Sequence, residues 1–286
     1  MHRIVLLLFA CMLLSAGCLT ASESGVEAGV SLITPADPVP LFDGQATYVG
    51  LIGAETPQIQ TNYSLGCVVI PPGNATPPHI LIGTTELVYV IDGVAEIHCD
   101  NQVVTAREGE TVLLPERVLQ SIASAGDTDL RYLTAIQPPY TAEIEISGET
   151  LTLLSMTTNE TPFVVADPRK GIEWSATDTV VYTLANPVLM SEMELPINYS
   201  VAYGEIQPGG YLDYDGIVGS SDLIYVIEGE LLVTTLDGRT LLVPAGSAAY
   251  VPPGLMKESR NTADSVTKPL SFVDPAWTQE KTALWK

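Results

Sequence analysis

The chain has 286 residues, enough for two domains of ordinary size. It carries 12 basic and 34 acidic residues, a net charge of −22. Phosphate backbones are held by basic patches, so this surface excludes nucleic acid as a partner and disfavours anionic polymers; the charge reads as solubility.

Residues 1–17 read as an export signal. Met1-His2-Arg3 is a short basic start, and Ile4 to Leu14 is an apolar run too short to span a bilayer stably. Leu14-Ser15-Ala16-Gly17-Cys18 then resembles a lipobox, with Ser15 where Leu is expected. The resemblance makes Cys18 a lipidated first residue and the membrane a partner through that anchor only, with the folded part outside the cytoplasm. The competing reading is an ordinary cleaved signal with an incidental Cys. No later run reaches the ~18 apolar residues of a membrane span. Residues 18–40, small, polar and proline-containing, read as a tether.

From residue 41 the text turns into short strands separated by turns. The first set is Leu65–Ile70, Leu87–Ile91, Val94–Cys99, Val103–Thr105, Thr111–Leu114, Gln120–Ala123 and Arg131–Ile136, with Asp92-Gly93 and Asp100-Asn101 as turns. A segment over 141–175 follows, with a candidate strand at Leu151–Met156 and a turn at Asp167-Pro168; it is expected to pack against the folded units. The second set opens near Thr179 and includes Ser200–Ile206, Leu223–Ile227, Glu230–Thr235, Thr240–Val243, Ala248–Val251 and Leu270–Val273. Residues 278–286 form a polar tail, read as a short helix. Strands at this spacing indicate an all-β sandwich or barrel, and no long 3.6-residue period competes.

The two sets are copies. Asn62-Tyr63-Ser64 and Asn198-Tyr199-Ser200, Gly73 and Gly209, and Gly93 and Gly229 all stand 136 apart, and LVYVIDG at 87–93 returns as LIYVIEG at 223–229. This is a tandem duplication. Within the first copy, Gly73, His79, Glu86 and Gly93 have the spacing of the first signature of the cupin superfamily, with Leu81 at its second His. Gly109 and Pro115 match the second signature, with Arg117, Gln120 and Ser124 at its Gly, His and Asn. The second copy keeps Gly246, Pro252, Gly254 and Asn261, with Asp215, Ile217, Asp222 and Lys257 at the ligand positions. The chain therefore resembles a bicupin. The resemblance covers 41–140 and 176–277 and implies two tandem jelly-roll barrels.

Cupin metal sites use three His and one Glu. The chain has three His in all and one is His2 in the signal, so a three-His site cannot form in one mature chain. In barrel 1, His79, Glu86 and Gln120 are left as candidate ligands. Two readings stand: a weakly bound divalent metal, or no cofactor and a His79–Glu86 hydrogen bond that Gln120 completes. His98 alternates with Ala95, Ile97 and Cys99 and is read as solvated. In barrel 2, Asp215, Asp222 and Lys257 are read as an ion triad whose ammonium replaces the metal. Cys67 and Cys99 form a disulfide or are two small buried hydrophobes. Asn62, Asn74, Asn159 and Asn198 begin sequons, though the paired Asn62 and Asn198 read equally as turn residues kept by the duplication. Tyr89 and Tyr225 are read as barrel packing.

The expected function is non-catalytic: binding of a small molecule, a sugar or a carboxylic acid, in barrel 1, or a structural role in the envelope. The alternative is a metal-dependent enzyme of isomerase, decarboxylase or dioxygenase type using His79, Glu86 and Gln120.

Overall fold

A computed structural model describes residues 29–54, 56–148, 150–151, 158, 160–165, 167–176 and 178–284. The export signal, Cys18, the Leu151–Met156 strand beyond its first residue, Asn159 and Trp285 lie outside these. The described strands are, in order, β1 (Ser31–Ile33), β2 (Val39–Leu41), β3 (Ala46–Ile52), β4 (Ser64–Ile70), β5 (His79–Leu81), β6 (Thr85–Asp92), β7 (Val94–Cys99), β8 (Gln102–Arg107), β9 (Thr111–Leu114), β10 (Leu119–Ser124), β11 (Leu130–Gln137), β12 (Glu145–Ser147) and β13 (Phe163–Val165). The second copy supplies β14 (Glu173–Ala176), β15 (Thr179–Ala185), β16 (Ser200–Ile206), β17 (Tyr211–Ile217), β18 (Ser221–Glu228), β19 (Glu230–Thr235), β20 (Thr240–Pro244), β21 (Ala248–Val251), β22 (Lys257–Asn261), β23 (Lys268–Asp274) and β24 (Thr282–Leu284). No described helix is long and apolar enough to cross a membrane.

Each barrel is a seven-stranded sheet facing a five-stranded one. In barrel 1 the orders are β13-β9-β6-β11-β4-β3-β2 and β12-β5-β10-β7-β8; in barrel 2 they are β1-β21-β18-β23-β16-β15-β14 and β24-β17-β22-β19-β20. The two lists match strand for strand. The fold is thus two tandem jelly rolls.

The edge strands cross over. β1 precedes barrel 1 but pairs with β21 of barrel 2, and β13 precedes barrel 2 but pairs with β9 of barrel 1. Residues 31–33 and 39–41 are therefore sheet, not tether. The expected tail helix is a single 3-10 turn, Gln279–Lys281, followed by β24 on the edge of β17.

The apolar run of β6 does not alternate because both its faces are buried. Val88 and Val90 fill barrel 1, while Leu87, Tyr89 and Ile91 join a second core with Leu223, Tyr225, Leu270 and Phe272 of barrel 2. A strand covered on both sides reads as a continuous hydrophobic stretch. Tyr89 and Tyr225 accordingly pack between the barrels and not inside them. The duplicated Tyr63 and Tyr199 meet there, ring centroids 5.0 Å apart, with Phe272 against both. Reciprocal hydrogen bonds frame the contact: Asn62 N and Nδ2 donate to Asp274 Oδ2 and Oδ1 at 2.7 and 3.0 Å, and Asn198 N donates to Gln137 Oε1 at 2.6 Å. The Asn62 amide, where a glycan would attach, is thereby engaged; the Asn74 amide donates to Gln45 O at 3.3 Å.

The copies drift from an offset of 136 to one of 137 at a single hairpin. β7 and β8 are joined through Asp100-Asn101, whereas β19 reaches β20 through a loop one residue longer, closed by Thr235 N donating to Arg239 O. Gly93 and Gly229 both need to be glycine: each has φ above +80°, and a Cβ would fall 2.6 Å from Asp129 O or Thr267 Oγ1.

Candidate functional site

Period-2 alternation turns Glu86 on β6, Thr134 on β11, Gln120 on β10 and His79 on β5 into the interior of barrel 1, and all four are buried. His79 Nδ1 lies 2.9 Å from Pro77 O, which only accepts, so Nδ1 donates, and in the neutral ring Nε2 presents a lone pair. Gln120 Nε2 donates to that nitrogen at 3.2 Å and to Glu86 Oε2 at 2.5 Å. Both neighbours are acceptors, which fixes the amide with its NH2 between them. Thr134 Oγ1 donates to Glu86 Oε1 at 2.7 Å. Glu86 and His79 thus communicate through Gln120, not by the direct hydrogen bond expected from sequence. Phe42 stacks on the imidazole, 6.4 Å between centroids. Phe42, His79, Glu86 and Thr134 border a cavity of about 690 Å³.

These residues do not fit a tightly held transition metal. The amide faces its neighbours with protons, not a lone pair, and Leu81 contributes an apolar side chain to the same cavity. What remains is one imidazole nitrogen and one carboxylate whose two oxygens already accept hydrogen bonds. Among the described residues, no group of three or more His, Cys, Asp or Glu is placed to hold a metal ion.

Barrel 2 repeats the frame with other chemistry. Asp215, Asp222 and Lys257 come together: Lys257 Nζ lies 2.8 Å from Asp215 Oδ1 and 3.7 Å from Asp222 Oδ2, with the lysine side chain only 3% exposed. Ser271 Oγ donates to Asp222 Oδ1 at 2.5 Å, as Thr134 does to Glu86. Both copies are therefore built on a carboxylate held by a hydroxyl from the neighbouring strand and bridged by a donor on the opposite sheet. In barrel 1 the donor is an amide, in barrel 2 an ammonium. The Thr134 and Ser271 hydroxyls were not singled out from sequence, although their spacing of 137 equals that of Gln120 and Lys257. Burial pulls the Lys257 pKa down, but the two carboxylates outweigh it and the net shift is upward. Burial pushes the Asp222 carboxyl up, against the opposing pull of Lys257.

The other candidate residues lie apart. Cys67 and Cys99 are free thiols, so the disulfide reading does not hold: Cys67 packs against the core between the barrels and Cys99 faces the interior of barrel 1. Burial raises both thiols, Cys99 to about 11, which keeps them protonated and unreactive at neutral pH. His98 is half-exposed and pairs with Glu96 at 3.0 Å. Asn261 ties the loop after β22, its amide donating to Ile206 O and Ser265 O at 2.8 Å.

Comparison with known proteins agrees with this architecture. The family model described as "Cupin domain" matches residues 66–136 and 204–273. An uncharacterized protein of Methanocaldococcus jannaschii is 28% identical over 80 residues, which span 28% of this chain and 64% of that relative's length. Oxalate decarboxylase from Bacillus subtilis at pH 4.6 superposes with a TM-score of 0.70 at 14% identity, covering 88% of this chain and 78% of that one. Lactobacillus farciminis oxalate decarboxylase in its formate complex gives 0.68 at 14% identity, covering 88% of both. At such identities the likeness is one of fold. A cupin-domain match within each barrel, and neighbours that share the fold across most of the chain's length, accord with two tandem jelly rolls of cupin type.

Proposed function

We propose that the chain is an exported bicupin, anchored to the membrane through Cys18, whose degenerate metal sites leave it a binding protein. Its ligand is a neutral, hydroxyl-rich small molecule such as a sugar, held in barrel 1. The carrying observation is the cavity of about 690 Å³ whose wall carries His79 and Glu86, the two residues that Gln120 bridges. That size is within the usual range of ligand sites, roughly 300–1,000 Å³. Phe42, Tyr48, Tyr132 and Tyr140 offer ring faces, and Thr76 and Thr141 lie among them. The acidic groups lining it are Glu86 and Glu145, and no described lining residue is a lysine or arginine. This argues against a carboxylic acid, including the dicarboxylate of the oxalate decarboxylases.

Isothermal titration with neutral mono- and disaccharides is expected to give saturable binding for at least one, and none for oxalate. Glu86→Gln should weaken that binding at least about tenfold, the scale of one charge-assisted hydrogen bond. Oxalate binding followed by carbon dioxide release would establish the metal-dependent enzyme instead.

The anchor rests on Gly17-Cys18 after the apolar run Ile4 to Leu14. Cys18→Ser should fail to incorporate labelled fatty acid and should leave the membrane fraction. A variant that fractionates like wild type would remove Cys18 as the anchor.

A further inference from the structure

We infer that barrel 2 holds a second binding site of different chemistry: a pocket for a compact, neutral, largely apolar molecule with one hydroxyl or carbonyl oxygen, which the Lys257 ammonium and the Ser259 hydroxyl hydrogen-bond. The ion triad sits in the wall of a cavity of about 270 Å³. This is below the usual range for drug-sized ligands, roughly 300–1,000 Å³, so the occupant is small. Ile206, Ile224, Leu231 and Val273 supply apolar wall.

The polar groups in that wall are under-used. An ammonium has three protons. Lys257 makes one hydrogen bond, to Asp215, and a longer contact at 3.7 Å to Asp222. Ser259 and Thr179 also line the cavity, and their hydroxyls are buried with no hydrogen-bond partner. A buried hydroxyl without a partner is destabilising. The duplication shows that neither is required by the barrel. Ser259 stands where barrel 1 has Ile122, at the offset of 137, and Thr179 begins β15 where Ala46 begins β3. Both barrel 1 residues are buried in an apolar core. Two interior positions thus become hydroxyls on one cavity beside an ammonium with a spare proton, which is the pattern of a pocket waiting for an acceptor oxygen. The exposed Trp174 and the half-buried Trp277, edge to face at 5.1 Å, line the same cavity and give a ligand aromatic surface to pack on. The triad keeps a net single negative charge, so a neutral ligand is favoured over a carboxylate.

The tryptophans provide the readout. The chain has three, Trp174, Trp277 and Trp285; of the two described, Trp174 and Trp277, neither lines the barrel 1 cavity. Titration of the mature protein with cyclohexanol should change tryptophan emission saturably. Methylcyclohexane, of similar shape without the oxygen, should bind about tenfold more weakly, the scale of one or two buried hydrogen bonds. Ser259→Ala, which removes an unpartnered hydroxyl and so should fold at least as well as wild type, should bring cyclohexanol down toward methylcyclohexane and leave methylcyclohexane unchanged. No saturable change in wild type, or equal cyclohexanol affinity in Ser259→Ala, would overturn the site. Saccharide binding in barrel 1 is a separate matter, and its failure would leave this result standing.

Discussion

Lys257→Met is expected to destabilise the folded chain by roughly 3–5 kcal/mol, the cost of stranding a buried charge whose partner has been removed. Methionine keeps most of the volume, so packing changes little, but Asp215 and Asp222 are left facing each other across the barrel without a cation. The triple change Asp215→Asn, Asp222→Asn, Lys257→Met should recover part of the loss, because no charge is then unpaired. Urea midpoints, with the fold checked by circular dichroism, measure both effects. A single variant as stable as wild type, or a triple variant no better than the single, would show that the ammonium is not the internal counter-ion.

The pH dependence has a definite sign. Because its folded pKa is raised, Lys257 contributes fully below the ordinary lysine value of about 10.4, and the contribution is lost as pH rises through the folded value. Asp222, also raised, acts at the other end: the folded form holds its proton better than the unfolded one, so stability falls as pH rises from about 3.9 through the folded value. Without its counter-ion Asp222 should rise further, so Lys257→Met should gain stability on mild acidification more than wild type does.

Phe272→Ala should cost about 3–5 kcal/mol, as expected when a fully buried aromatic side chain is deleted from a packed core. Phe272 is 0% exposed and touches Tyr63 of one copy and Tyr199 of the other. The loss falls on the junction, so the urea transition should broaden or split as the barrels uncouple. Tyr63→Phe is the control. Tyr63 Oη is buried with no hydrogen-bond partner, and its removal should be neutral or stabilising. A cost below about 1 kcal/mol for Phe272→Ala would mean that the barrels are not packed together through this core.

The duplication was legible because glycines with positive φ and tight turns leave fixed spacings, and those spacings carried the ligand positions with them. The triad was legible for the same reason: Asp215, Asp222 and Lys257 were found by register, and register is what the barrel enforces. The amide bridge was not, because spacing places Gln120 near Glu86 but does not say which end of the amide faces it. β22 was missed because its inward residues, Lys257, Ser259 and Asn261, are polar, so its buried face shows no hydrophobic period. β1 and β13 were missed because three-residue edge strands have no period to read, and their crossing between barrels is a tertiary matter. The continuous run LVYVI announced a strand, but not that both of its faces are buried. Its second partner, the other barrel, becomes identifiable only when the two seven-stranded sheets are seen back to back.

Gln120 and Lys257 stand where metal ligands would, so elemental analysis of the purified mature protein after dialysis decides whether the barrels hold a metal. Well under one transition-metal ion per chain is expected, with no fall in stability on treatment with a chelator. One tightly held metal ion per chain that disappears in His79→Ala would contradict it.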